Sequence, residues 1–143
     1  MIQAFINYAK AFIGKPYVWS GDGSGKKGGF DCSGLVLECL YAFGLYTGSD
    51  ISADGIRKMA LKKSWKEVKT AEKGSLLFFG TEKKIIHVAI CIGNHLMIEA
   101  GGGGSSSNSI ATSTGMVRTR PISFRKDLIS IVNPIFEKKR RKL

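Results

Sequence analysis

His87-Val-Ala-Ile-Cys-Ile-Gly-Asn-His-Leu-Met-Ile-Glu-Ala100 reads as two β-strands folded back on each other. Residues 87–92 and 96–100 are rich in Val, Ile, Leu and Met, and Gly93, Asn94 and His95 between them supply a turn. A three-residue loop here sets Ala89 opposite Glu99. Side chains alternate along a strand, so His87, Ala89 and Cys91 share one face, and Glu99 lies a diagonal step from His87 on that face. Glu99 is also the only acid in its apolar strand. A buried carboxylate without a cation or donor is costly, so this hairpin predicts that Glu99 meets His87. The competing reading is a solvent-facing Glu99 beside a surface lysine, with His87 a satisfied edge-strand histidine.

Working outward, residues 75–79 predict a strand before this hairpin, and residues 116–120 and 128–132 predict two after it. Upstream the period changes to that of helices. Ile2, Phe5, Ile6, Ala9 and Ile13 fall on one face of a helix over residues 2–13, stopped by Gly14 and Pro16. A second helix starts at Cys32, buries Leu35, Val36, Cys39, Leu40 and Phe43, and is closed by Gly44. Residues 52–61 predict a short third helix with basic loop around it. Helices first and strands after give an α+β fold, with amino-terminal helices packed on an antiparallel β-sheet. The glycine-rich stretches 20–29 and 101–108 read as loops. One domain over residues 1–136 and a basic tail at 137–143 account for the chain.

The composition is 43% hydrophobic, enough for an ordinary core. No apolar run approaches the ~18–20 residues that span a bilayer. The 22 Lys and Arg against 11 Asp and Glu give a formal charge of +11, which favours a polyanionic partner. Nucleic acid is not expected, because the basic stripe interleaved with aromatics that such binding uses is missing. The loop SGDGSGKKGG lacks the glycine and lysine spacing of a phosphate loop. Three scattered cysteines and two histidines do not assemble a zinc site, so no metal or cofactor is expected.

Three cysteines cannot all pair within one chain, which suggests reduced thiols. Cys39 and Cys91 lie on apolar faces and read as core. Cys32 differs. It occupies the first turn of a helix, where the positive end of the dipole favours an anion, and Gly28, Gly29 and Gly34 leave the backbone open to a substrate. The bland alternative is a small buried hydrophobe. A cysteine nucleophile needs a base that also protonates the leaving group, usually histidine. His95 sits in the turn, which leaves His87 for the role and Glu99 to orient it.

Four segments in this order, Gly14-Lys-Pro-Tyr-Val-Trp19, Gly29-Phe-Asp-Cys-Ser-Gly-Leu35, Gly74-Ser-Leu-Leu-Phe-Phe79 and His87-Val-Ala-Ile-Cys-Ile-Gly-Asn94, resemble the NlpC-type family of papain-like peptidases. The resemblance covers roughly residues 3–100. It implies a cysteine hydrolase that cuts peptidoglycan stem peptides between γ-D-glutamate and a diamino acid. It implies Cys32 as nucleophile, His87 as base, Tyr17 beside the oxyanion, and Trp19, Asp31 and Ser33 among the substrate-binding residues. Two positions depart from the family pattern. The third catalytic position, often His, Asn or Gln, is Glu99, and the acid usual after Gly74 is Ser75. The partners implied are peptidoglycan and, through the charge, an anionic wall polymer. With neither a secretory signal nor wall-binding repeats, the chain resembles phage-encoded members. It would be made in the cytoplasm and reach the wall by a phage particle, lysis or another route. An N-acetylmuramoyl-L-alanine amidase would use the same residues, and a non-enzymatic basic polyanion-binding module would explain the charge alone.

Overall fold

The computed structural model describes residues 1–18, 29–102 and 115–136. Three helices come first: α1 (Ile2–Lys10), α2 (Cys32–Ala42) and α3 (Ala53–Lys62). Six strands follow: β1 (Lys66–Val68), β2 (Leu76–Gly80), β3 (Ile85–Gly93), β4 (Leu96–Gly101), β5 (Met116–Pro121) and β6 (Leu128–Asn133). They form one sheet in the order β1-β6-β2-β3-β4-β5, and every neighbouring pair is antiparallel. This is the α+β arrangement expected of the sequence.

The helices form where their ends are satisfied. Asp31 caps α2 by accepting the Gly34 N–H at 2.6 Å. At the other end Gly44 takes φ +66°, its N–H bonds the Tyr41 carbonyl, and the Leu45 N–H bonds that of Leu40. This paired closure, with a left-handed glycine just past the helix, uses two carbonyls the last turn would leave bare. Helix α2 buries residues nearly all round, from Ser33 to Leu40, so it is the central helix of the core. Ser52 caps α3 through the Gly55 N–H at 3.1 Å. Helix α1 is shorter than expected. After Lys10 the bonds tighten, Phe12 to Ala9 and Ile13 to Lys10, before Gly14 turns the chain at φ +93°. Phe5, Ile6 and Ala9 are buried, whereas Ile2 and Ile13 stay outside that face.

The sheet is covered on both sides. Its helix-facing side gives Leu76, Phe78, Val88, Ile90 and Ile98 to the main core. On the opposite side Leu77, Phe79, Ala89, Cys91, Met97 and Ile131 pack together, with Val68, Ala71 and Ile122 against them. Cys39 and Cys91 are buried, one in each cluster, as their apolar faces imply. Strand β1 was not expected. Its three residues pair with β6, Glu67 opposite Val132, in what the charge pattern alone presents as loop.

The central hairpin turns on two residues rather than three. Asn94 and His95 both have positive φ, 54° and 58°, and Gly93 pairs with Leu96 inside the ladder. A bulge between Cys91 and Gly93 restores the missing residue, so Ile90 faces Ile98 and Cys91 faces Met97. The expected register of Ala89 and Glu99 is therefore kept by a different loop. A second irregularity matters more for the site. Phe79 pairs with His87 but Gly80 with Ile85, so Ile86 has no opposite number and stands 60% exposed. This bulge shifts the alternation, so Ile85 joins Val88 and Ile90 in the helix-facing core while His87 keeps the face of Ala89 and Cys91.

Candidate active site

Cys32 is the first residue of α2, directly after its Asp31 cap, and is partly exposed while Cys39 and Cys91 are buried. The first N–H groups of a helix have no partner within it, so the Cys32 sulfur sits among donors at the positive end of the dipole. The Asp31 side chain is already engaged there. Its Oδ1 accepts from the Gly34 N–H and, at 3.3 Å, from the Ser33 hydroxyl.

His87 is 7% exposed and Glu99 3%. Their contact is short: Nε2 to Oε1, 2.7 Å. With Nε2 so engaged, Nδ1 is the nitrogen left to interact with Cys32. Strands β3 and β4 bring His87 and Glu99 together, and the amino end of α2 brings Cys32. The start of β3 is tied to α3 by the Ile85 N–H, which donates to Asp54 Oδ1 at 3.0 Å.

Charge settles around the ring in one direction. Burial pushes the imidazole pKa down, but its bonds to Cys32 and Glu99 and their negative charges more than reverse this, raising it to about 9. For Glu99, burial pulls the carboxyl up, and the His87 bond and charge with Arg120 and Arg125 overcome it, holding the group below the usual range. A carboxylate facing an imidazolium is the state both shifts favour. Tyr17, 6% exposed, has its phenol pushed up to about 12 by burial and by the nearby Cys32 and Asp31 charges. It is fixed by its backbone N–H to the Gly115 carbonyl at 2.9 Å and by a bridge to Phe30. Its hydroxyl therefore remains a donor at any ordinary pH.

A cleft of about 940 Å³ opens over Cys32, His87 and Glu99, with Tyr17, Asp31 and Ser33 in its wall. The candidates Cys32, His87, Glu99, Tyr17, Asp31 and Ser33 thus converge, and Trp19 lies outside the described residues. Ser75 does not join them. Its hydroxyl donates to Asn133 Oδ1 at 2.6 Å and accepts the Glu72 N–H, a knot at the start of β2. The cleft also holds residues the sequence reading passed over: Lys84, Ile86, Arg120, Phe124 and Arg125. Arg120 pairs with Glu99 Oε2 at 3.4 Å and stacks over the Phe124 ring at 3.9 Å. The signal available was Arg118-Thr-Arg120 at strand spacing, two cations on one face of β5.

Residues 14–124 match the sequence model of the NlpC/P60 family. The chain belongs to the NlpC/P60 family. It is 35% identical over 102 residues to a probable endopeptidase p60 of Listeria grayi, covering 71% of this chain and 18% of that protein. It is 34% identical over 98 residues to a γ-D-glutamyl-L-lysine dipeptidyl-peptidase of Bacillus cereus, 66% of this chain and 27% of the other. The chain thus spans under a third of either relative. Its fold matches the crystal structure of the NlpC/P60 domain of the peptidoglycan hydrolase SagA, with TM-score 0.66 and 26% identity. That match covers 93% of this chain and 98% of the SagA domain. The three helices and six-stranded antiparallel sheet are accordingly those of the papain-like NlpC/P60 domain.

Proposed function

We propose that residues 1–136 form a cysteine peptidase domain that cleaves an amide bond in peptidoglycan stem peptides, between γ-D-glutamate and a diamino acid. What supports this reading is one chain of contacts, Cys32 to His87 to Glu99, lying open to a single cleft in an NlpC/P60 domain. The name of the Bacillus relative, a γ-D-glutamyl-L-lysine dipeptidyl-peptidase, points to this class of bond, and that of the Listeria relative to an endopeptidase.

In the mechanism that follows, the Cys32 thiolate attacks the γ-carbonyl carbon of the scissile amide and the carbonyl oxygen takes the negative charge. Donors at the start of α2 and the Tyr17 hydroxyl stabilise that oxygen. The imidazolium of His87 gives its proton to the departing amine, the C–N bond breaks, and a thioester to Cys32 remains. His87, now neutral, takes a proton from water, hydroxide adds to the thioester, and the free carboxylate leaves as the sulfur regains its charge. Glu99 stays ionised throughout and stabilises the charged form of the ring. The cations of the chain, including residues 138–142, hold the domain near anionic wall polymers.

Digestion of purified muropeptides followed by mass spectrometry tests the assignment. An endopeptidase leaves fragments ending in γ-D-glutamate and a new free amine on the diamino acid. Release of whole stem peptides from muramic acid would instead identify an amidase, and no cleavage at all would leave only polyanion binding.

A further inference from the structure

The two oxygens of Glu99 go to different partners. Oε1 bonds His87 Nε2 at 2.7 Å, and Oε2 faces Arg120 Nε at 3.4 Å. Neither partner is loosely placed, since the Arg120 side chain is only 17% exposed. The outer torsion of a glutamate is broad, so a carboxylate held by one oxygen can rock about it. A second anchor on the other oxygen fixes the carboxylate plane, and through it the tilt of the imidazole.

Arg120 suits that task better than its neighbours. Its Cα lies in register with Met97 of β4, and its guanidinium stacks on Phe124 at 3.9 Å. Arg125 contributes charge near Glu99, yet its fork is taken by Asp127 at 2.9 and 2.8 Å. Arg118, the Cα partner of Glu99, donates to the Gly101 carbonyl at 3.3 Å. The distances also rank the two bonds. A guanidinium gripping Glu99 as tightly as a bidentate pair would compete with the imidazole, and here the shorter contact goes to His87.

Building on the Cys32–His87–Glu99 reading, we propose that Arg120 is a positioning residue that holds the Glu99 carboxylate ionised and in plane behind His87. The charged groups around this unit are Cys32, Glu99 and Asp127 near the His87 ring, and His87, Arg120 and Arg125 near Glu99. Without Arg120, burial acts on Glu99 against one less cation, so the carboxyl protonates at higher pH.

Two readouts test this. The first is the pH dependence of Cys32 alkylation by iodoacetamide, which needs no wall substrate and reports one thiol because Cys39 and Cys91 are buried. The second is kcat and KM on muropeptides. Arg120→Gln should lower kcat on the order of tenfold with KM little changed, the loss of one charge-assisted contact. It should also move the acid limb of the alkylation profile to higher pH. Arg120→Lys should restore the limb but only part of kcat. Added to Glu99→Gln, Arg120→Gln should cost little more, because the two act through one carboxylate. A raised KM with kcat and the limb unchanged would show Arg120 gripping substrate, and a lower melting temperature alone would make it structural. Either overturns the proposal. If instead His87→Ala leaves wild-type-like alkylation at every pH, the Cys32–His87 reading itself has failed, whatever Arg120 does.

Discussion

Replacing Glu99 by Gln removes one charge from the site while keeping size and an acceptor oxygen. The His87 pKa stands at about 9 against an ordinary 6.5, against the opposing effect of burial. Its hydrogen bond to a charged carboxylate contributes about 1.5–3 kcal/mol, which corresponds to roughly one to two pKa units. In Glu99→Gln the alkaline limb of the activity profile should therefore fall by about one unit or more. Glu99→Ala should lose further activity, since the ring also loses its stop. Stability follows the same linkage. A raised histidine pKa contributes stability that is complete below the ordinary 6.5 and lost as pH rises through about 9. The lowered Glu99 pKa contributes stability complete above its ordinary 4.5 and lost as pH falls through the depressed value. Both contributions are whole between pH 4.5 and 6.5. Thermal melts of wild type and Glu99→Gln across pH 4–10 should thus differ most in that window, and the difference should shrink as pH rises through about 9 and the imidazolium is lost. The limbs belong to the Cys32–His87 pair rather than to one residue, so the comparison is between whole profiles. Full activity of Glu99→Ala with an unchanged profile would show that another group orients His87.

Cys32→Ala should abolish muropeptide cleavage with circular dichroism and melting unchanged, whereas Cys39→Ala and Cys91→Ala should cost about 1 kcal/mol of stability and little activity. The Cys39 thiol, fully buried and pushed up to about 12 by burial and then by Glu38, should resist alkylation in the folded protein. Asp31→Ala removes the α2 cap and should cost about 1 kcal/mol in a urea titration, with Asp31→Asn recovering most of it. Deleting residues 138–143 should weaken wall binding at low salt and leave turnover of a soluble muropeptide unchanged, because five successive cations act at a distance that salt screens.

What the sequence revealed and what it hid divide along sequence separation. Helix α2 could be placed because its apolar stripe, Leu35 to Phe43, and the Gly44 that closes it lie close together in the chain. The end of α1 could not, since Ile13 keeps the apolar phase although the helical bonds have already tightened after Lys10. Strand β1 is a strand only because β6 pairs with it. Lys66-Glu67-Val68 has no pattern of its own, and its partner Val132 stands far along the chain. The hairpin held its register through an error in the loop, because a two-residue turn plus a bulge displaces the strands as a three-residue loop does.

The site obeys the same division. Cys32 was visible as a helix start, and His87 with Glu99 as one face of a tight hairpin, each a short-range relation. Arg120 reaches Glu99 only through the pairing of β4 with β5, in which Glu99 faces Arg118 and Met97 faces Arg120. The stretch between those strands is glycine and serine for much of its length, so composition gives no length of loop from which to count the register. Had the register been known, the same alternation that brought Glu99 to His87 would have brought Arg120 to Glu99. A carboxylate behind His87 is thereby less isolated than it looks in one dimension. The added negative charge arrives with a cation on the next strand, and the pair together present the imidazole with an oriented acceptor.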